Sequence, residues 1–298
     1  MTRRIKAQIN LKDAVAIYVL DCESRRLTTK TVFFYRTSLQ TFVTWAATVG
    51  VSTLAEITPT TIRQFQVHLA DRGLSAVYQH NLARALRTFC NFAVAERLIA
   101  SSPFQNIKLP ILPKRILPAL TPDEERRLLR AATVRNRAII LFALRSGVRV
   151  EELCSLNVGL VDLASGAVQV INGKGQKSRI TYIDAQARKA LRLYLASRGE
   201  LPNDAPLFIS ERGARRCTTN AIVQVMLKLQ AKTGITYASF HTLRRTFAIN
   251  CLRSGMNIHV LARLMGHADI QVLRRYLDMS EGDAAAEYAS RGPGQATS

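Results

Sequence analysis

Apolar residues recur at helical spacing through the first hundred positions of this chain. Leu11, Val15 and Val19 form one stripe, Val32, Tyr35, Leu39, Phe42 and Ala46 a second, and Leu82, Leu86, Phe89 and Ala93 a third. Steps of three and four residues put each set on one face of a helix. Between the second and third stripes, Thr58 and Pro59 have the chemistry of an N-cap and a first helical residue, and Gly73 that of a terminator. Ser75 can cap the helix that follows. Residues 1–105 are expected to fold as an all-helical bundle. The pattern then breaks, because Pro103, Pro110, Pro113, Pro118 and Pro122 crowd into twenty residues. Such a segment cannot continue a helix and is too poor in glycine to be floppy. It predicts a linker over residues 106–119.

Thr121 and Glu124 around Pro122 then form a capping box. Helices are expected over residues 121–132 and 135–146, with Gly147 after them and Arg149 opening a short helix that carries Leu153 and Leu156. AVQVI and SRITYI alternate as two strands do, and the NGKGQK between them suits a hairpin turn bearing Lys174. Four more helices are predicted: Asp184 to Arg198, Thr219 to Thr233, Ser239 to Ser254, and Asn257 to Met265, each closed by the glycine that follows. The fold class is mainly α with a small β-sheet. A short Ala-rich helix, DAAAEYAS over residues 283–290, and a disordered tail are expected to end the chain.

Composition sharpens this picture. The chain has 298 residues, 48% of them hydrophobic, enough for two ordinary cores without structural metals or disulfides. Lys and Arg outnumber Asp and Glu by 42 to 21, a net charge of +21. Residues 1–110 carry 14 basic and 6 acidic side chains, and the remainder 28 and 15. A polyanion is the expected partner, touched by both halves as a clamp would touch it. Lys108, Lys114 and Arg115 make the linker either a strap along DNA or a connector with solvated charges. Cys22, Cys90, Cys154, Cys217 and Cys251 are odd in number and widely spaced, and read as reduced thiols in a reducing compartment. Neither a signal-peptide pattern nor a run of eighteen apolar residues occurs, so a cytoplasmic protein without membrane contact is expected.

The chemistry concentrates in the last quarter. SFHTLRRTFAIN contains His241 and Arg244, and LMGHADIQVLRRYLDM contains His267, Arg275 and Tyr276. On a helix begun at Ser239, His241 and Arg244 lie three apart near the amino end, where backbone NH groups favour a phosphate. Arginine grips phosphate bidentately, so Arg149 and Arg244 from separate helices can hold both non-bridging oxygens. A phenol of pKa about 10 needs a proton acceptor or nearby positive charge to become a nucleophile. His241 or His267 can take the proton, and Arg275 raises the local potential beside Tyr276. A leaving 5′-oxygen needs a proton, which Lys174 can donate. Tyr182 and Tyr194 are expected to be packing residues. Together these groups supply what breaking and rejoining a phosphodiester through a tyrosine requires.

Arg149 in SGVRVEEL, Lys174 in GKGQKSR, His241 and Arg244 in HTLRR, His267 in MGH, and Tyr276 nine residues later carry a resemblance to the tyrosine recombinases, the phage integrase and Xer group. It covers residues 120–280, and residues 10–105 resemble the SAM-like core-binding domain of that family. The resemblance implies four segments: a helical DNA-binding domain over 1–105, a basic linker over 106–119, a mixed α/β catalytic domain over 120–281, and a C-terminal helix and tail over 282–298. It implies a 3′-phosphotyrosyl intermediate, with Arg149 and Arg244 holding the phosphate, Lys174 as general acid, His241 as proton acceptor and His267 as a hydrogen-bond donor. Glu152 either orients Arg149 or stands as an exposed helix carboxylate. DNA contacts are expected from Lys108, Lys114, Arg115, Arg245 and Arg275.

No cofactor, metal or ATP is implied. Partners implied are duplex DNA with core sites, a second copy on each site and a tetramer in the synapse, with a related second recombinase as the alternative to four identical chains. The helix over 283–290 is expected to dock on a neighbouring protomer. MGH replaces the usual LGH, an apolar exchange. With no arm-binding domain expected before the bundle, the chain resembles the simpler Xer-like and transposon recombinases, serving a mobile element or replicon resolution. A catalytically inactive architectural DNA-binding protein and a type IB topoisomerase are the alternative readings.

Overall fold

The computed structural model describes residues 9–112, 118–171, 178–211, 213 and 215–266. The chain divides into two compact units, residues 1–115 and 116–298. In the first, α1 (Leu11–Ser24), α2 (Thr29–Thr48), α3 (Pro59–Asp71) and α4 (Ala76–Ala95) form the helical bundle. Their starts follow from local chemistry: the Asn10, Thr28, Thr58 and Ser75 side chains each accept a backbone N–H of the first turn. The helices bury Tyr18, Phe42, Phe65 and Phe89. Phe42 and Phe65 meet edge to face at 5.1 Å, a favourable arrangement of ring quadrupoles.

The proline-rich segment belongs to this unit for longer than its composition predicts. Phe104 is buried, and Ile107 and Leu109 pack on the same core. Gln66 Nε2 donates to the Lys108 carbonyl at 3.2 Å, and His80 Nδ1 to that of Pro110 at 2.8 Å. Proline and its neighbours keep their carbonyls as acceptors even where no helix can form. Side chains of the bundle therefore clasp the segment as far as Pro110.

The second unit is built on α6 (Val134–Ser146), in which every residue from Ala138 to Leu144 is buried. Around it stand α5 (Pro122–Ala131), the short α7 (Val150–Ser155), α8 (Ala185–Ala196), α9 (Thr219–Thr233), α10 (Phe240–Arg253) and α11 (Ile258–Met265). A helix hydrophobic on all sides belongs at the centre of a core, and α8 and α10 pack on α6. β1 (Ala167–Val170) pairs antiparallel with β2 (Arg179–Tyr182), Val168 opposite Thr181 and Val170 opposite Arg179. Strand alternation sends Thr181 inward and Tyr182 outward. Tyr182 is 54% exposed, so it is a surface residue rather than the packing residue expected of it. Tyr194 does pack, stacked on Phe208 at 5.6 Å.

Two bonds tie the beginning of this unit to α10. The Leu120 N–H donates to Thr246 Oγ1 at 2.9 Å, and Arg245 Nη1 donates to the Pro118 carbonyl at 2.9 Å. Among the described residues no helix is long and apolar enough to cross a membrane. All five cysteines are free thiols, four of them buried.

Candidate active site

Four helices bring their ends together in the second unit. Gly147 closes α6 in the left-handed conformation, φ +62°. Two residues on, Arg149 caps α7, and Glu152 of the first turn accepts the Arg149 N–H at 2.6 Å. α10 starts at the Ser239 cap and places Arg244 one turn in, 4% exposed. α11 packs on α10 through Phe247, Ala248, Leu261, Ala262 and Met265, and Gly266 ends it at φ +65°.

The last carbonyls of a helix lack intrahelical partners and carry its negative dipole end. Three guanidinium groups serve them here. Arg179 Nε donates to Leu264 O at 2.8 Å, Arg244 Nη2 to Met265 O at 2.8 Å, and Arg149 Nη2 to Gly266 O at 2.7 Å. Arg244 also bonds the Gly147 carbonyl through Nη1. His267 follows Gly266 in the sequence, so the two arginines expected to hold phosphate converge on the backbone just before the expected hydrogen-bond donor.

Glu152 is the hub of this arrangement, and not the exposed helix carboxylate that was its alternative reading. It is 6% exposed. Oε1 accepts from Arg149 Nη1 at 2.9 Å and Arg179 Nη1 at 2.7 Å, and Oε2 from Arg179 Nη2 at 2.8 Å. Burial works against its ionisation, but the Arg179 hydrogen bonds and the Arg149 N–H outweigh it and hold the carboxyl at about 2.

His241 is exposed at the start of α10, three residues before the buried Arg244. Desolvation by the surrounding protein, then the like charges of Arg244, Arg245 and Arg149, push its pKa below the ordinary histidine value. Its ring is thereby biased toward the neutral form, which can accept a proton.

Arg245 corrects an expectation. It is 9% exposed and spends Nη1 on Pro118 O, so in this structure it anchors the start of the unit instead of facing a DNA backbone. The cause is tertiary: the chain entering the unit lies against α10, where Arg245 meets the Pro118 carbonyl and Thr246 the Leu120 N–H. Lys108 is exposed in the first unit. Lys114, Arg115, Lys174, His267, Arg275, Tyr276 and the helix expected over 283–290 lie outside the described residues. Arg179 was not among the residues singled out from the sequence. The available signal was its phase, since Arg179 and Thr181 share the inward face of β2, continued by the buried Ile183 just after it, and a charge there demands a partner.

Gly147 offers a direct test of how tightly the site is built. A Cβ added there would overlap the Phe247 ring at a positive φ. Gly147→Ala is expected to cost about 1–3 kcal/mol, from overpacking and backbone strain together. Urea denaturation measures this, and an unchanged midpoint would contradict the packing described.

The chain is thus a helical unit followed by a mixed unit that holds a buried arginine and carboxylate network. Residues 118–282 match the phage integrase family, and residues 22–97 match the phage integrase N-terminal SAM-like domain. The chain is 30% identical to tyrosine recombinase XerD of Oceanobacillus iheyensis, over 81% of this chain and 84% of that one. It is 29% identical to tyrosine recombinase XerC of Bacillus subtilis (strain 168), over 95% and 97%. The solved Tn1549 transposon integrase in complex with a circular intermediate DNA shares the fold, with TM-score 0.77 at 18% identity over 95% of this chain and 99% of that one. The chain belongs to the phage integrase family: it is a tyrosine recombinase, an enzyme that cleaves and rejoins DNA.

Proposed function

We propose that this protein recombines duplex DNA at defined core sites through Tyr276, acting in the cytoplasm for a mobile element or for replicon resolution. The observation that supports this most strongly is the convergence of Arg149 and Arg244 on the Gly266 and Met265 carbonyls, with His267 next in sequence. In the proposed reaction the Tyr276 oxygen attacks the scissile phosphorus. A P–O bond to tyrosine forms as the P–O5′ bond breaks, leaving a 3′-phosphotyrosyl link and a free 5′-hydroxyl.

The phenol proton passes to neutral His241, and Lys174 protonates the departing 5′-oxygen. Arg149 and Arg244 take up the charge that develops on the non-bridging oxygens, and His267 adds a hydrogen bond. Attack by the partner strand's 5′-hydroxyl reverses each step. One phosphoester replaces another, so ligation needs no ATP. Two copies on each core site and four in the synapse provide the four strand exchanges, either as identical chains or with a related recombinase.

The test is trapping. A nicked suicide duplex from the DNA flanking the gene loses its 5′-hydroxyl fragment after cleavage, so a covalent adduct accumulates on a denaturing gel. An adduct, followed by exchange between two copies of that site, supports recombination. Relaxation of any supercoiled DNA without a defined site would point to topoisomerase action instead, and salt-sensitive binding without an adduct to an architectural protein.

The shifted histidine gives a pH prediction. A base works only when deprotonated, so activity is lost as pH falls through the folded pKa. Because that pKa lies below its ordinary value, the acid limb of single-turnover cleavage should be centred below pH about 6.5. An acid limb centred above that value would contradict the assignment of His241.

A further inference from the structure

Arg179 lies outside every role assigned above, yet it makes the most complete set of contacts in the site. Its side chain is 7% exposed, as is that of Glu152. One edge of the guanidinium forms a two-pronged pair with the carboxylate, Nη1 to Oε1 at 2.7 Å and Nη2 to Oε2 at 2.8 Å. The remaining nitrogen, Nε, is spent on Leu264 O. A group so enclosed, with each nitrogen already donated, is not placed to grip a DNA phosphate. It acts on the site through other residues.

We propose that Arg179 is a positioning residue for strand cleavage, fixing α7, β2 and the end of α11 as one body. Each of those elements adjoins a residue with a proposed role. α7 carries Glu152, which holds the Arg149 side chain. β2 begins five residues after Lys174. α11 ends at Gly266, immediately before His267. Arg179 spans all three, because a guanidinium is planar and can bond a carboxylate on one edge while Nε faces elsewhere.

Gly266 fits the same requirement. Apart from its positive φ, a Cβ at that position would lie 2.8 Å from Arg179 Nη1, so the close approach of this helix end to the arginine needs glycine. Lysine at 179 can supply one charge but not the fork and the third bond together. Small displacements of catalytic groups are costly, which makes a rigid support of this kind consequential for rate even without contact to DNA.

The proposal rests on the reading of the site given above, so its test includes a readout that requires no reaction. Wild type, Arg179→Lys, Arg179→Met and the double variant Glu152→Gln with Arg179→Met are compared. The readouts are melting temperature, half-site binding, single-turnover adduct formation, and the imidazole NMR signal of His267, assigned by loss in His267→Gln. Arg179→Lys is expected to bind the duplex as wild type does, since phosphate contacts dominate affinity, but to cleave about 100-fold more slowly. Its His267 signal should move.

Arg179→Met should also add an acid limb to the cleavage profile. Glu152 would keep only its Arg149 contacts, and its carboxyl would protonate at a higher pH than in wild type. The double variant removes the buried negative charge that has lost its Arg179 partner, and should recover melting temperature without recovering rate. Recovery of both would mean that the pair serves stability alone and would overturn the proposal. An unmoved His267 signal in folded Arg179→Lys would do the same, whether or not cleavage is detected. Absence of an adduct from wild type itself would count against the functional reading, and the NMR comparison would still decide the role of Arg179.

Discussion

Tyr276→Phe is expected to form no covalent adduct on the nicked duplex while binding it as tightly as wild type. The substitution removes one oxygen, and that oxygen is the proposed nucleophile, so the loss should be complete rather than graded. The surroundings of other tyrosines support the choice. Burial, then the neighbouring Tyr35, drives the Tyr18 phenol far up from its usual value. Burial and the hydrogen bond to Glu124 push Tyr237 up to about 12. Tyr194 is buried with its ring stacked on Phe208. The Tyr18 and Tyr237 phenols therefore hold their protons, and the Tyr18 and Tyr194 rings are enclosed in core.

Tyr182 is the informative control, because it is exposed on the same unit. Tyr182→Phe should retain the adduct. Denaturing gels with both variants, alongside salt-titrated binding, decide the matter. An adduct that survives in Tyr276→Phe would remove Tyr276 from the mechanism.

Arg244→Lys should slow adduct formation by about 10²–10³-fold, the usual consequence of removing one preorganised donor from a site of developing charge. The charge survives this exchange but the geometry does not. Arg244 bonds Gly147 O and Met265 O from two guanidinium nitrogens, thereby joining the end of α6 to the end of α11. A lysine ammonium sits at one point and cannot span both carbonyls. One buried carbonyl is left without this partner, and a modest fall in melting temperature should accompany the larger fall in rate. Single-turnover kinetics with binding measured in parallel separates the two effects. A rate within a few-fold of wild type would show that charge alone suffices there.

The helices were legible because their signals are local. Thr58 before Pro59, Thr121 with Glu124, and the glycines at 147, 234 and 266 announce ends through chemistry confined to four or five residues. The strand pair was legible from alternation, although alternation alone did not say which face was inward, and Tyr182 was assigned to the wrong one. The segment from Phe104 to Pro110 read as a connector because proline excludes helix. Its attachment depends on Gln66 and His80, which are distant in sequence.

The sequence by itself determined the residue types of the chemistry, their order, the bundle followed by a mixed unit, and the membership that these motifs imply. Spacing and capping are properties of neighbouring residues, so they survive without coordinates. Only the tertiary structure decided that Glu152 is buried between two arginines, that Arg245 turns inward to Pro118, and that Arg179 joins three elements. Those outcomes depend on which unsatisfied carbonyls and carboxylates lie within about 3 Å of a guanidinium once the core has closed. That is a matter of contacts across tens of residues, and in the case of Arg245 and Pro118 across more than a hundred.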